Sequence, residues 1–371
     1  MNLIFSRLSL TNHLLVCPVF SGFSTIAIVD SFFCRFFGGV FRGDNKFSVG
    51  NSAFITFLDH PISFVSCNSR IKSPNELVNV KDSKFCKCSS IEPGGAIYVT
   101  YPGATVNITS CGFYDCSSTG SEPVAFIDNS MKAGGGGCAL LCSKFYVSLC
   151  CFSNCYSVER GPALFTASNG YDDAVFNLSV IIRASEGICP IHFGRGRDVM
   201  SNINTTMNTC YFVPGGAFTY SGIRNLLQYT NIMHCVSTHS SLGYLSRIFD
   251  FAVGSAEETC RMCNVVNNSN MYNIKCVFYS YHNQITFTNF VFYQNDSPLF
   301  AKGSGSLIIE NCHYDTSEIG SATLLAGNSL GFSIQTNYLS IPDACKLYAI
   351  TNQAIYNFRG FYIHFFTLIN I

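Results

Sequence analysis

Two short clusters of ionisable residues could support acid–base chemistry. Asp172–Asp173 form the first cluster, and Arg195–Asp198 form the second, with His192 just before it. Enzymes that cleave polysaccharides place several carboxylates and basic groups on one face for proton abstraction or general acid–base catalysis. The 22 acidic residues of this chain are thinly scattered and fall mostly in turn-like sequence, which is typical of solvated loop charges. A carbohydrate-active enzyme, either a polysaccharide lyase or a hydrolase, is therefore the second interpretation, and no residue is assigned a catalytic role.

Cys260 and Cys263 have the spacing of a redox or metal-binding pair. A structural zinc site needs four ligands in a tetrahedron, and Cys235 and Cys276 are the thiols nearest to the pair in the sequence. However, a chain with 20 cysteines produces this spacing by chance. A structural role is the favoured interpretation, and the sequence predicts neither a metal ion nor a cofactor.

Three further motifs bear on adhesion, secretion and nucleotide binding. Arg42–Asp44 has the form of the integrin-recognition tripeptide and follows a Gly-Gly turn, but tripeptides recur by chance. The Asn-x-Ser/Thr glycosylation pattern occurs at Asn107, Asn177, Asn204, Asn267 and Asn295. Of these, Asn107 and Asn295 are predicted to point inward. The Gly134–Gly137 run is not a phosphate-binding loop, because no Lys-Ser/Thr follows it.

These motifs lie on a repeat built from two tetrapeptides. The first is a small-residue turn followed by an apolar pair, at Gly38–Phe41, Gly94–Ile97, Gly161–Leu164 and Gly215–Phe218. The second is an aromatic residue, here named the anchor, followed three positions later by Cys or Asn, at Phe85–Cys88, Phe113–Cys116, Phe152–Cys155 and Phe292–Asn295. A recurring period of this kind indicates a stacked-repeat architecture.

The spacing of the anchors defines a repeat of about 25–30 residues. The longer interval between Phe113 and Phe152 is explained by an insertion in a surface loop at residues 131–137. Further downstream, degenerate anchors are predicted at Met207, Ile232 and Tyr314.

Between the turns the sequence predicts short strands and no helix. Runs rich in β-forming residues recur at Ala53–Leu58, Ala96–Thr100, Thr105–Thr109, Val124–Ile127, Leu178–Ile182, Gln284–Val291 and Ser306–Ile309. A unit of this length with three short strands corresponds to one turn of a parallel β-helix. Roughly ten to twelve coils at ~4.8 Å each predict a rod ~50–60 Å long, with stacked phenylalanines inside.

Composition narrows the partners and the environment. Charged residues make up 12% of the chain and the net charge is +0, so a nucleic acid partner is not expected. Most cysteines between Cys17 and Cys345 are interpreted as buried thiols, with disulfides between neighbouring coils as the alternative. Residues 1–30 are interpreted as the first coil rather than a degraded secretory signal, and residues 345–371 as either a terminal coil or a truncated end.

The paired tetrapeptides resemble the repeat of the polymorphic outer-membrane proteins, and their Cys- and Phe-rich character is similar to related surface proteins of parasitic protists. Gly94–Ile97 and Phe292–Asn295 match both family tetrapeptides, whereas Phe85, Phe113 and Phe152 are followed by Cys where the family has Asn. The resemblance is strongest over residues 80–165. It implies a right-handed parallel β-helix of the pectin lyase-like type at the cell surface, with a role in adhesion or antigenic display. No translocator of the bacterial type is evident.

The combined prediction is an all-β chain whose residues 1–371 form a single right-handed parallel β-helix, or solenoid. The favoured function is a non-enzymatic, repetitive scaffold for adhesion, recognition or antigenic display, at the cell surface or outside the cell. The expected partners are glycan or protein ligands on host cells or in the extracellular space. Membrane association would require a segment that is not evident in this sequence.

Overall fold

The structure is a computed structural model. It describes residues 2–13, 20–21, 25–36, 41–43, 46–50, 52–57, 62–65, 77–120, 123–124, 128–132, 134–168, 173–186, 190–210, 217–222, 226–237, 246–251, 258–270, 275–280, 284–295, 298–302 and 306–330. The described chain is all-β, without a helix, and 34 of its strands join one hydrogen-bonded network. The predicted terminal coil at residues 345–371 lies outside the described residues.

Most strands belong to three parallel ladders, in which each strand pairs with the equivalent strand of the next repeat. The first ladder contains 13 strands. They are Asn2–Ser6, Thr25–Val29, Lys46–Gly50, Leu77–Lys81, the later part of Ile97–Thr109, the later part of Cys138–Ser148, the early part of Asp173–Ile182, the middle of Ile191–Thr206, Leu226–Gln228, Glu258–Arg261, Gln284–Thr288, Ser306–Glu310 and Thr323–Leu324.

The second ladder carries the anchors. Its strands are Ser9–His13, Phe32–Phe36, Ala53–Phe57, Lys84–Ser90, Gly112–Tyr114, Cys151–Ser153, the ends of Asp173–Ile182 and Ile191–Thr206, Asn231–Met233, Asn264–Val266, Val291–Tyr293, His313–Tyr314 and Ser329–Leu330. A narrow extension of this ladder is formed by Ser117–Ser118, Tyr156–Ser157, Thr209–Cys210, Val236–Ser237 and Ser269–Asn270.

The third ladder follows the glycine turns. Its strands are Phe20–Ser21, Phe41–Gly43, Ile62–Val65, the starts of Ile97–Thr109 and Cys138–Ser148, Leu164–Ser168, the start of Ile191–Thr206, Ala217–Gly222, Ser246–Phe251, Lys275–Ser280 and Phe300–Lys302. This parallel pairing at a one-repeat offset is compatible with a β-solenoid. The first ladder exceeds the predicted ten to twelve repeats because the terminal repeats, such as those that pair Thr25 with Lys46 and Ile308 with Thr323, are shorter than the assumed length.

The anchor side chains stack in the core, as the sequence predicts. The rings of Phe33, Phe54, Phe85, Phe113 and Phe152 are nearly parallel, with centroid separations of 5.1, 5.0, 5.0 and 4.7 Å. These separations match the strand spacing of ~4.8 Å, because each ring sits directly on the equivalent ring of the next repeat. Parallel in-register pairing therefore converts a repeated residue into a continuous apolar column.

Two bends with positive φ bracket the strands of the second ladder. The residue three positions before each anchor forms the first-corner column, at Arg7, Asp30, Asp82, Ser110, Leu149, Leu178, Asn202, Tyr229, Met262, Asn289 and Asn311, with φ between 45° and 57°. After the eight anchors from Phe85 to Phe292, the residue two positions later forms the second-corner column, at Lys87, Asp115, Asn154, Arg183, Met207, His234, Asn267 and Gln294, with φ between 50° and 55°. The sheet pairing imposes this conformation even on Leu, Met and Tyr, which rarely adopt it alone.

The Gly134–Gly137 run is a corner of the core and not part of a surface insertion, which corrects the prediction for residues 131–137. Its glycines are buried, and Gly94 and Gly95 donate backbone hydrogen bonds of 2.9 and 3.0 Å to Gly134 and Gly135. A Cβ on Gly95 would collide with backbone carbonyl oxygens, so only glycine fits there. The inserted element is instead an antiparallel hairpin, Pro123–Val124 and Asp128–Lys132.

Several predicted strands have different limits. Ala96–Thr100 and Thr105–Thr109 merge into Ile97–Thr109, and Leu178–Ile182 is the end of the longer Asp173–Ile182. Gln284–Val291 divides into Gln284–Thr288 and Val291–Tyr293, because Asn289 turns the chain with a φ of 57°.

The predicted anchor Met207 is wrong. Thr205, and not Met207, pairs with the anchors Ile181 and Ile232, while Met207 is 49% exposed at the second corner. The predicted anchors Ile232 and Tyr314 do occupy the second ladder.

Candidate functional site

The most exposed repeated feature of the described chain is the second-corner column. Its backbone is held by hydrogen bonds to the next repeat, for example from Asp115 N to Ser153 O at 3.0 Å and from His234 N to Val266 O at 3.0 Å. Apart from the half-buried Asp115, its side chains are exposed to solvent. The pairing therefore fixes one outward-pointing side chain in each of eight successive repeats, in a nearly identical backbone conformation.

Residue identity along this column changes from repeat to repeat, whereas the anchors beside it and the residues three positions after them are all uncharged. The column contains basic, acidic, amide, thioether and imidazole side chains. Neighbours contact each other, since Asn154 Nδ2 donates to Asp115 Oδ1 at 3.1 Å and Asn267 Nδ2 lies 2.9 Å from His234 Nδ1. An uncharged core beneath a variable edge can present different chemistry without changing the fold.

The acid–base residues singled out in the sequence do not form one cluster with His192. Asp173 and Arg197 are register partners on the first ladder, but His192 lies on the third ladder. The His192 ring is buried and stacks on Phe165 at 5.1 Å, and burial together with nearby Arg160 lowers the pKa of His192 well below its usual value. A neutral, buried imidazole cannot serve as an acid for a ligand on another face. Asp172 lies outside the described residues.

The Cys260–Cys263 pair is part of the core. Both thiols are buried and neither forms a disulfide, and Met262 between them occupies the first corner with a φ of 55°. Cys263 Sγ donates to Arg261 O at 3.3 Å. Cys235 and Cys276 are also buried and outside any disulfide. Within the described ranges, no group of three or more His, Cys, Asp or Glu is arranged to hold a metal ion.

The described cysteines are mostly buried free thiols, as the sequence analysis favours, although Cys151 forms a disulfide. Burial raises the pKa of Cys86 to about 12 and that of Cys235 to about 11, and it raises the pKa of Cys88 well above the usual value. A thiol that stays protonated is a poor nucleophile and a poor metal ligand. These cysteines therefore act as small core residues.

The glycosylation patterns differ in exposure. Asn107 lies on the outward side of its strand and donates to Asn79 Oδ1 at 2.9 Å, so the prediction that it points inward is wrong. Asn295 does point inward and donates to Val265 O at 2.6 Å. Asn204 is buried, whereas Asn267 is exposed at the second corner. For the integrin-like tripeptide, Arg42 and Gly43 lie in the strand Phe41–Gly43, and Asp44 is outside the described residues.

One surface was missed from the sequence, namely the outward side of the first ladder between Tyr146 and Arg261. A polar chain crosses it, in which Arg261 Nε donates to Gln228 Oε1 at 2.8 Å and Gln228 Nε2 donates to Ser201 Oγ at 3.2 Å. Asn177 Oδ1, in the same column, is buried without a hydrogen-bond partner. The alternation of buried and outward residues in these strands is the signal that could have located this surface, once the register was known.

A helix of the length and hydropathy that could span a membrane is not found in the part of the chain that the structure describes. No known protein family, curated protein or solved structure matches the chain.

Proposed function

We propose that the chain is a right-handed parallel β-helix that acts as a non-enzymatic recognition scaffold at the cell surface or outside the cell. Right-handed winding is supported by the strong preference of parallel crossover connections for that hand. The observation that carries the functional proposal is the second-corner column, which combines a constant backbone with a variable side chain in eight successive repeats.

The mechanism that suits this geometry is multivalent contact. Side chains one repeat apart lie ~4.8 Å from each other along the stack, so an extended glycan or protein segment could contact several at once. Linked weak contacts raise avidity without a deep pocket, because each contact after the first is intramolecular. Adhesion, recognition or antigenic display all require this kind of surface.

The proposal is tested by binding of the purified chain to arrayed glycans and to host cells. The test variant replaces three side chains of the second-corner column by asparagine, which tolerates positive φ: Lys87→Asn, Met207→Asn and His234→Asn. The matched control carries three asparagine substitutions at the first corner: Leu149→Asn, Tyr229→Asn and Met262→Asn.

The expected result is saturable binding without product release, weakened about tenfold or more in the test variant and unchanged in the control. Equal binding by both variants would contradict the assignment of the second corner. Turnover of a polysaccharide by the wild-type chain would replace the scaffold with the carbohydrate-active enzyme.

A further inference from the structure

Asn267 combines an exposed corner position with a glycosylation pattern. It belongs to the second-corner column, with a φ of 50°, and it begins the tripeptide Asn267–Ser269. Its side chain is exposed, whereas Asn268 is buried and Ser269 is half-buried. An Asn-x-Ser/Thr pattern at an accessible position is an acceptor for N-linked glycans in secreted proteins. The Asn267 amide is therefore placed where a glycan can be attached.

The Asn267 amide can carry a glycan and keep its contact within the column. Its Nδ2 lies 2.9 Å from His234 Nδ1 and has two hydrogens, of which this contact uses one. In N-glycosylation, Nδ2 forms a bond to C1 of an oligosaccharide that is carried on a lipid pyrophosphate. The bond from C1 to the pyrophosphate oxygen breaks, that oxygen keeps the electron pair, and Nδ2 loses one proton to solvent. The backbone is held separately, because Asn267 N donates to Tyr293 O at 2.8 Å.

The other four glycosylation patterns are less accessible. Asn204 is 8% exposed, and Asn295 Nδ2 donates inward to Val265 O at 2.6 Å. Asn107 and Asn177 are half-buried, and Asn177 Oδ1 is buried. A glycan on a buried asparagine would place a bulky polar chain inside the stack and prevent the neighbouring repeat from pairing. Exposure therefore favours Asn267 among the five patterns.

We propose that Asn267 is the principal N-glycosylation site of this chain. The inference rests on the proposed location at the cell surface or outside the cell, because N-linked glycans mark secreted proteins. The glycan covers His234 and Gln294, which lie one repeat away on either side, at ~4.8 Å. It leaves open the part of the column from Lys87 to Arg183, which begins three repeats away, at ~14 Å. Ligand contact is thereby directed to that part of the second-corner column.

The same column offers a matched position at which a site can be created. Asn154 is exposed at the second corner, and its Nδ2 also contacts a neighbour, donating to Asp115 Oδ1 at 3.1 Å. It lacks the glycosylation pattern because Tyr156 stands two positions later. Tyr156 pairs with Ser117 on one side and with Ser185 on the other, so a serine fits the register there. Tyr156→Ser therefore completes the pattern at Asn154 without altering the corner.

Secretion of the full chain from insect cells, behind a cleavable leader, tests the site. Glycans are removed enzymatically in heavy-oxygen water, which converts each occupied asparagine to a labelled aspartate that peptide mass spectrometry locates. Asn267 should be occupied in most molecules, and Asn204 and Asn295 in none. Because the leader supplies the secretory route, an unoccupied Asn267 contradicts the site itself, whereas the scaffold proposal is tested separately by binding to glycans and cells.

Two variants separate the acceptor pattern from the rest of the column. Ser269→Ala should abolish the glycan while Asn267 stays in place, and Tyr156→Ser should add a glycan at Asn154. Each change should shift the mobility of the chain in a denaturing gel by one step, in opposite directions.

An unoccupied Asn267 in the wild-type chain would overturn the proposal, as would higher occupancy at Asn107 than at Asn267. A Tyr156→Ser chain that is secreted without an added glycan would contradict the accessibility of the second corner on which the proposal rests. If Ser269→Ala is not secreted, Asn267→Gln decides the question, because Gln294 already occupies the same corner with a φ of 51°.

Discussion

Two stretches of the chain, residues 84–155 and 204–295, build the same repeat with different chemistry. Three positions after the anchor, the first stretch has thiols and the second mainly has amides. Cys116 Sγ donates to Phe85 O at 3.7 Å, and Asn295 Nδ2 donates to Val265 O at 2.6 Å. In both cases the acceptor is the carbonyl of the preceding anchor. A thiol and an amide therefore close the same corner.

The asparagine amide makes more hydrogen bonds than the cysteine thiol, because its oxygen also accepts a hydrogen bond. Asn268 Oδ1 accepts the backbone N–H of Cys235 at 2.9 Å, while its Nδ2 donates to Ile232 O at 3.0 Å and to Asn295 Oδ1 at 2.9 Å. The thiol stretch has stacked phenylalanine anchors instead, whereas the amide stretch has Thr205, Ile232 and Val265 at that position before Phe292. One stretch is held chiefly by apolar stacking and the other by side-chain hydrogen bonds.

Alkaline pH should separate the two stretches most strongly. Burial raises the pKa of Cys88, Cys111, Cys138 and Cys155 well above 9.0, so these thiols ionise in the unfolded chain before they ionise in the folded one. The unfolded state then binds fewer protons, and stability falls as pH rises above 9.0, by about 1.4 kcal/mol per pH unit for each thiol. The amide stretch has fewer such thiols: burial raises the pKa of Cys235 to about 11, so its loss continues only to that pH, and burial also raises the pKa of Cys263 well above its usual value.

Urea unfolding at about pH 7 and about pH 10.5, with thiol alkylation mapped by mass spectrometry, measures this effect. As the pH rises, the cysteines of residues 84–155 should become reactive together, when that stretch unfolds. Stability that does not change with pH would be inconsistent with the buried thiol column.

Loss of a stacked ring should be the most damaging single substitution. Phe113 lies 5.0 Å from Phe85 and 4.7 Å from Phe152, and Phe113→Ala leaves a cavity in a column that cannot collapse. The expected loss in the free energy of unfolding is about 3–5 kcal/mol. At the same position in the amide stretch, Ile232→Val should lose about 0.5–1.5 kcal/mol. If urea unfolding showed that the two substitutions lower the free energy of unfolding equally, the two stretches would not differ in how much their anchors contribute.

Removing the amide should cost more than removing the thiol at the equivalent corner. Asn268→Ala leaves the buried Cys235 N–H without an acceptor and should destabilise the chain by about 2–3 kcal/mol. Cys116→Ala loses one weak hydrogen bond and should cost about 1 kcal/mol. Asn268→Cys should fall between them, since a thiol can still donate to Ile232 O but holds the Cys235 N–H less well. A larger loss for Cys116→Ala would contradict the comparison.

The smallest effect is expected at the first corner. Leu149 is 38% exposed with a φ of 56°, whereas Asn289 occupies the same corner of the amide stretch with a φ of 57°. Because Asn tolerates positive φ better than Leu, Leu149→Asn should stabilise the chain by about 0.5–1 kcal/mol, and Asn289→Leu should destabilise it by a similar amount. Chemical denaturation of the pair shows whether the two shifts have opposite signs.

The sequence predicted the strands and the stacked anchors because both depend on local pattern and period. It failed where the neighbouring repeat decides the structure. The glycines at Gly134–Gly137 look like a flexible insertion, but carbonyl groups of adjacent repeats surround them, and the real insertion is the hairpin just before. Met207 was preferred to Thr205 as an anchor because no aromatic residue marks that strand.

The site was less predictable than the fold for the same reason. Lys87 and Met207 carry no signal for positive φ, which only pairing with the next repeat imposes. Inward and outward side chains alternate along a strand, and Asn107 occupies an outward position next to an inward one.

Distances between spin labels along the second corner test the in-register stack most directly. The labels would be attached through a ketone-bearing amino acid, so that the native thiols are not modified. One label would be placed at Lys87 and the second at Met207 (four repeats away), His234 (five repeats) or Gln294 (seven repeats). The separations should increase linearly by ~4.8 Å per repeat, to ~19, ~24 and ~34 Å. Distances that do not increase with the number of repeats would contradict the parallel stack on which the fold and the second-corner column both depend.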